Sequence, residues 1–245
     1  MTAAIKTCVA VLLMLAAGLV VAGPPRVAII IDDLGYALDA GRRAIALPGP
    51  VTYAVLPGAP RTAILANNAH ENGKEVLLHL PLQAYSEDQA QEPGGINLDM
   101  SREEFGATFE AAFASVPHAI GVNGHRGSLL TRHPGHMQWL MEELLARDDL
   151  FFIDSYTTHK SVALQLARES GIRAMRRDVF LDPDRLPGTV AREFERMKQL
   201  ARERGFAVAI GHPYPATLEF LERELPKLEA EGLELVAISV LLGSQ

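Results

Sequence analysis

Glu203-Arg204-Gly205-Phe206-Ala207-Val208-Ala209-Ile210-Gly211-His212 holds the pattern that decides how this chain folds. A charged, helix-forming stretch stops at Gly205, the residue type that closes a last helical turn in the left-handed conformation. Residues 206–210 are then apolar without alternation, as in a strand covered on both faces. The same order recurs along the chain. Glu71-Asn72-Gly73 precedes Glu75-Val76-Leu77-Leu78, Glu169-Ser170-Gly171 precedes Ile172-Arg173-Ala174-Met175, and Glu231-Gly232 precedes Leu233 to Val240. Helices alternating with covered strands pair those strands in parallel through right-handed crossovers. Eight candidate strands lie near 26–31, 51–56, 75–80, 119–123, 150–153, 172–175, 206–210 and 233–240. Such units predict an α/β fold, a (β/α) barrel that is irregular or incompletely closed, with an open doubly wound sheet as the alternative.

In either architecture the carboxyl ends of the strands share one face, and four of them end in residues that bind metals or move protons. Val27–Ile31 runs into Asp32-Asp33, Glu75–Leu78 into His79, Ala119–Val122 into Asn123-Gly124-His125, and 206–210 into Gly211-His212. Two carboxylates and three imidazoles at one face have the content of a metal-assisted hydrolase site. Each residue also has a plainer reading. Asp33, or the pair, can cap the helix that follows. A lone histidine in an apolar strand such as His79 is often a satisfied core residue, and the glycines around His125 fit an ordinary turn. The coincidence at four strand ends is what favours a site. Asp154, ending the strand at 150–153, is a candidate acceptor to orient a ligand histidine. His70, His118, His133, His136 and His159 read as surface or structural, the pair 133/136 lying in a Pro-Gly turn. Ser128 and Thr131 read as caps. Neither a Gly-x-Ser-x-Gly elbow nor a Gly-rich phosphate loop is present.

The chain has 245 residues, 48% of them hydrophobic, enough for one sizeable core. Its formal charge of −7 makes it a poor candidate for unaided nucleic-acid binding, which needs clustered Lys and Arg, and argues for a neutral or small substrate. Lys6 is followed by the apolar run Val9–Ala22, short for a spanning helix and ending in small residues, as a secretory signal does. Residues 1–22 are therefore expected to be a signal peptide, with an uncleaved anchor as the rival. Residues 23–245 are expected to form one exported, periplasmic domain with no stable membrane insertion after cleavage. The sole cysteine, Cys8, lies inside the signal, so the mature domain has no disulfide. Ser101 with Glu104 predicts a capping box, with Phe105, Phe109, Ala112 and Phe113 on the apolar face behind it. Phe194, Met197 and Ala201 face inward from a helix at 189–204. Gln83 to Leu98 breaks the rhythm and reads as a loop beside His79, a possible substrate wall.

Five segments carry a resemblance over nearly the whole chain after Arg26. They are Ile29-Ile30-Ile31-Asp32-Asp33-Leu34-Gly35, Leu78-His79-Leu80-Pro81-Leu82, Gly121-Val122-Asn123-Gly124-His125-Arg126-Gly127-Ser128, Phe152-Ile153-Asp154-Ser155 and Ile210-Gly211-His212-Pro213. In this order they resemble the divergent polysaccharide deacetylases, relatives of the NodB-like carbohydrate esterases. The resemblance implies an irregular (β/α) barrel of the NodB-like type and a divalent metal, usually zinc. It implies Asp33, His79 and His125 as metal ligands, Asp32 as general base and His212 as general acid. The reaction implied is removal of N-acetyl groups from a cell-envelope polysaccharide or peptidoglycan fragment. The chain departs from the NodB-like pattern in two places. Gln83 stands four residues after His79, where those enzymes carry a second metal histidine. Asn123-Gly124-His125 replaces their arginine-proline motif. A non-catalytic glycan-binding or envelope scaffold protein is the alternative that these departures leave open.

Overall fold

The structure, a computed structural model, describes residues 23–85 and 92–243; the expected signal peptide lies outside them. The strands, in chain order, are β1 (Arg26–Leu34), β2 (Thr52–Val55), β3 (Val76–Leu82), β4 (Ala119–Arg126), β5 (Phe151–Asp154), β6 (Ala174–Arg176), β7 (Val179–Phe180), β8 (Phe206–Gly211) and β9 (Glu234–Leu235). The helices are α1 (Leu38–Ile45), α2 (Thr62–Glu71), α3 (Arg102–Ser115), α4 (Pro134–Leu145), α5 (Ala163–Glu169), α6 (Pro187–Arg204), α7 (Pro215–Glu224) and α8 (Ile238–Leu242). The strands form one sheet in the order β6-β5-β4-β3-β2-β1-β8-β7, with β9 beside the start of β1, and the paired strands run parallel.

Strands β6 and β7 stand at opposite ends of that order, yet only Arg177 and Asp178 separate them in sequence. Arg177 N donates to Asp154 O at the end of β5 (3.0 Å), and Asp178 N donates to Val208 O in β8 (2.8 Å). Two consecutive amides reach both edges, which requires the sheet to curl until its edges meet. The fold is thus the irregular barrel, its ring completed by a two-residue seam rather than a ladder.

Alternation along the strands divides the core in two. Ala28, Ile30, Ala54, Leu77, Ile153, Val208 and Ile210 point into the barrel. Val27, Ile29, Ile31, Val55, Leu78 and Val122 point outward, under the helices. Val236, Ile238, Leu241 and Leu242 from the C-terminal segment pack among the inward residues. The apolar run at 233–240 is therefore not one strand. It gives two residues of β9 and then α8, because a short, fully buried apolar run carries no period that separates strand from helix. The two-residue β7 escapes the sequence reading altogether. Helix ends match it: Gly205 has φ 87° at the end of α6, and Ser101 and Glu104 form the capping box of α3. His133 and His136 sit at the start of α4 rather than in a turn, with Pro134 at its first position.

Candidate functional site

Asp32, Asn123, His79 and His212 share the inward parity of Ala28, Gly121, Leu77 and Ile210, which carries their side chains into the mouth of the barrel at the carboxyl ends of the strands. Asp33, one residue past Asp32, belongs by alternation on the other face. A bulge overrides this. The β1–β2 register slips between Ile31 and Leu34, and Asp33 has φ 60°, a left-handed conformation costly for a non-glycine residue. The bulge turns both carboxylates into the mouth. The capping alternative fails, since α1 begins after Ala37 with no side-chain cap.

Three ligand atoms, one each from Asp33, His79 and His125, lie within 4.8 Å of one another. Asp33 Oδ1 is 3.1 Å from His79 Nε2 and 2.9 Å from His125 Nδ1. His125 Nδ1 and His79 Nε2 are 3.1 Å apart. Hydrogen bonds behind them set the tautomers. Asn123 Nδ2 donates to Asp32 Oδ1 (2.8 Å), so Asn123 Oδ1 accepts from His79 Nδ1 (2.8 Å). His79 Nε2 is left facing Asp33, free to present a lone pair to a cation once its own proton is displaced. His125 Nε2 faces Glu92 Oε2 at 3.1 Å and donates to it, which frees His125 Nδ1 in the same way. Arg126 holds the other Glu92 oxygen at 2.9 Å.

Two imidazole nitrogens and a carboxylate oxygen thus converge, and the buried Asp33 Oδ1 has no hydrogen bond of its own. A proton held between His79 and Asp33, or a cation that displaces it, satisfies such a set, and N₂O donors of this kind suit a divalent transition metal. The electrostatics point the same way. Burial opposes a charge on His79, but Asp32 and Asp33 outweigh it and push its pKa up to about 9. Burial likewise opposes the Asp33 charge, yet His125 and His79 hold its carboxyl well below the usual carboxylate range. Asp32 goes the other way, because burial raises its pKa beyond what the neighbouring histidines recover.

His212 completes the group. Its Nδ1 donates to Asp182 Oδ1 at 2.9 Å, which leaves Nε2 facing the cluster, 3.7 Å from Asp33 Oδ2. Asp182 Oδ2 accepts from the His212 amide and from Thr217 Oγ1, both at 2.7 Å. Burial disfavours the imidazolium, but the Asp182 hydrogen bond prevails and raises the His212 pKa. Phe180 meets the ring edge-on at 5.4 Å and Tyr214 stacks on it at 5.2 Å.

All five residues expected at the site are brought together here. Asp154 is not. It has the outward parity of Phe152, and its carboxylate accepts from Tyr156 N and Ser161 Oγ in its own loop. Asp182 and Glu92 were not anticipated. Asp182 closes the run Val179-Phe180-Leu181, a further short apolar stretch ending in a titratable residue; Glu92 had no signal beyond its place in the Gln83–Leu98 wall. Residues 86–91 of that wall lie outside the described residues.

Barrel and cluster together define a deacetylase-like protein: a curled parallel sheet with a histidine–aspartate group of metal-binding geometry in its mouth. The chain belongs to the divergent polysaccharide deacetylase family, whose sequence model it matches over residues 29–242. It is 37% identical to the uncharacterized protein YibQ of Escherichia coli (strain K12) over 217 residues, 89% of this chain and 67% of that one. The fold is similar to that of the uncharacterized protein ATU2773 from Agrobacterium tumefaciens C58, with a TM-score of 0.85, 20% identity and 90% of each chain covered. It is also similar to a mutant of BA3943, a CE4 family pseudoenzyme with restored enzymatic activity. There the TM-score is 0.53 with 14% identity, covering 90% of this chain and 68% of that one. The fold is thus the NodB-like barrel of the CE4 deacetylases. Among the described residues no helix is long and apolar enough to cross a membrane.

Proposed function

We propose that this protein is an exported, metal-dependent hydrolase that removes N-acetyl groups from a cell-envelope polysaccharide such as a peptidoglycan fragment. The observation that carries the reading is the convergence of Asp33 Oδ1, His79 Nε2 and His125 Nδ1 between Asp32 and His212. Those three atoms would hold the ion, with zinc favoured by the donor set. When bound, the ion supplies a Lewis acid for the acyl carbonyl oxygen and for a water molecule.

The protein's own groups move the protons. Asp32 takes one from the attacking water, and the burial that raises its pKa makes it a stronger base than an exposed aspartate. His212 gives one from Nε2 to the departing amine nitrogen. Asp182 keeps the His212 ring oriented and stabilises its charged form. The products are acetate and a free amino sugar. Residues 1–22 direct export, and 23–245 form the catalytic domain.

One observation favours a second reading. Gln83, where NodB-like enzymes carry a second histidine, spends its side chain on Leu98 N (2.8 Å) and not on the cluster. A glycan-binding or envelope scaffold protein on this barrel would retain glycan affinity after replacement of both Asp32 and His212. The deciding experiment is metal content of the purified protein beside a His79→Ala/His125→Ala variant, followed by acetate release from N-acetylated oligosaccharides. About one metal per chain, lost in the variant, together with acetate release that disappears with it, is the expected result. Metal-free protein that releases no acetate after zinc is supplied overturns the hydrolase reading.

A further inference from the structure

The mouth of the barrel carries three copies of one small device. Each pairs a tyrosine with an arginine from neighbouring strand ends. Arg132, after β4, lies over the ring of Tyr85, after β3, at 5.0 Å and hydrogen-bonds its hydroxyl. Arg176, ending β6, lies over Tyr156, after β5, at 4.5 Å. Arg185, after β7, lies over Tyr214, after β8, at 4.3 Å, and Tyr214 stacks in turn on His212.

None of these three arginines forms an ion pair among the described residues. Many of the other arginines do pair, as Arg43, Arg102 and Arg196 on the helices do with glutamates, although Arg42, Arg61 and Arg168 share the unpaired state. Carboxylates close by among the described residues are already committed. Asp154, opposite Arg176 across β5 and β6, spends its two oxygens on Tyr156 N and Ser161 Oγ. Glu92 holds His125 and Arg126, Asp182 holds His212, and Asp184 takes Leu186 N and Thr189 Oγ1. A guanidinium held over a ring keeps further N–H donors with which to grip a carboxylate or phosphate. The tyrosine beside it offers an amphipathic wall for a sugar ring. The net charge of −7 argued for a neutral substrate; three arginines without an ion pair among the described residues argue locally for an anionic one.

We propose that the three tyrosine–arginine pairs form a rim that selects an acidic glycan, a sugar chain bearing anionic groups, over a neutral one. The proposal rests on the glycan reading above and deepens it. The anionic group is a carboxylate or a phosphate ester, which stacked guanidiniums grip alike.

The test is binding, read by titration calorimetry on chelator-treated protein, so that it does not depend on turnover. The probes are a neutral chitin oligomer, an oligomer of equal length with carboxylate-bearing lactyl ethers, and a phosphorylated chitin oligomer. The wild type is expected to bind at least one acidic probe ten or more times tighter than the neutral one. That ratio falls as salt is raised from low to physiological and above. It collapses towards one in Arg132→Ala/Arg176→Ala/Arg185→Ala, whose folding is checked by thermal melting. Whichever acidic probe is preferred identifies the anionic group. Equal wild-type affinities, a salt-independent ratio, a ratio that survives in the triple variant, or, where that variant does not fold, a ratio unchanged in both single Arg132→Ala and Arg185→Ala variants overturn the rim. Acetate release from the neutral oligomer in those cases leaves the hydrolase reading standing. No binding of any probe and no acetate release overturns both.

Discussion

Asn123 shows how a single amide sets the chemistry of its neighbours. It donates to Asp32, the proposed base, and accepts from His79, so one residue fixes both the Asp32 orientation and the His79 tautomer. In Asn123→Ala a buried carboxylate oxygen and a buried ring N–H both lose their partner. Metal affinity should fall about 10–100-fold while the fold persists, read by zinc titration against a competing chelator. Unchanged affinity would show that packing alone holds the ring. Asp32→Asn and His212→Ala separate the two proton roles. Both should retain metal, the first losing acetate release and the second slowing it by on the order of 10²–10⁴, as for loss of a general acid. Asp32, Asp33, His79, His125 and His212 were legible in the sequence because each ends an apolar run. Asp182 was not, since the strand before it is only two residues long. Glu92 was not, because it reaches His125 from an irregular loop.

At the level of elements, the bulge in β1 does what no regular strand can, by pointing two adjacent carboxylates into one mouth. Strand β4 has its own close tolerance. Gly121 faces the barrel interior, where a Cβ would lie 2.6 Å from the Phe151 ring. Phe151 is almost fully buried and has no room to retreat. Gly121→Ala should therefore destabilise the protein by about 1–3 kcal/mol, the usual cost of overpacking, measured by denaturant unfolding. Because Gly121 lies two residues before Asn123 on the same face, a shift of β4 should also weaken metal binding. Stability unchanged within about 0.5 kcal/mol would mean that the ring has more freedom than the packing indicates. None of this was visible beforehand: a glycine in a strand reads as a bulge or a close approach, and which one depends on the facing side chain.

For the whole molecule, the C-terminal segment closes the barrel interior at the end away from the site. Ile238 is fully buried there among residues of the strands. Ile238→Ala should cost about 2–5 kcal/mol in a denaturant titration and leave the metal stoichiometry unchanged, because the cavity forms far from the ligands. A change in stoichiometry would show that the interior couples its two ends. The metal itself should report on the global fold. Zinc is expected to raise the melting temperature, EDTA to reverse the rise, and Asp33→Ala to abolish the response, by mass action on the native state. A zinc response that survives in Asp33→Ala would place the ion elsewhere.

The sequence by itself determined the parallel α/β alternation, the helix ends at glycine and the strand ends that meet at the mouth. These are local matters: left-handed backbone favours glycine, and a strand covered on both faces must be apolar throughout. Only the tertiary structure decided the rest. The seam at Arg177-Asp178, the bulge at Asp33, the inward turn of Val236–Leu242 and the reach of Asp182 and Glu92 to the histidines depend on curvature and on partners distant in sequence. No period or composition of a single segment encodes where a curled sheet brings its two edges.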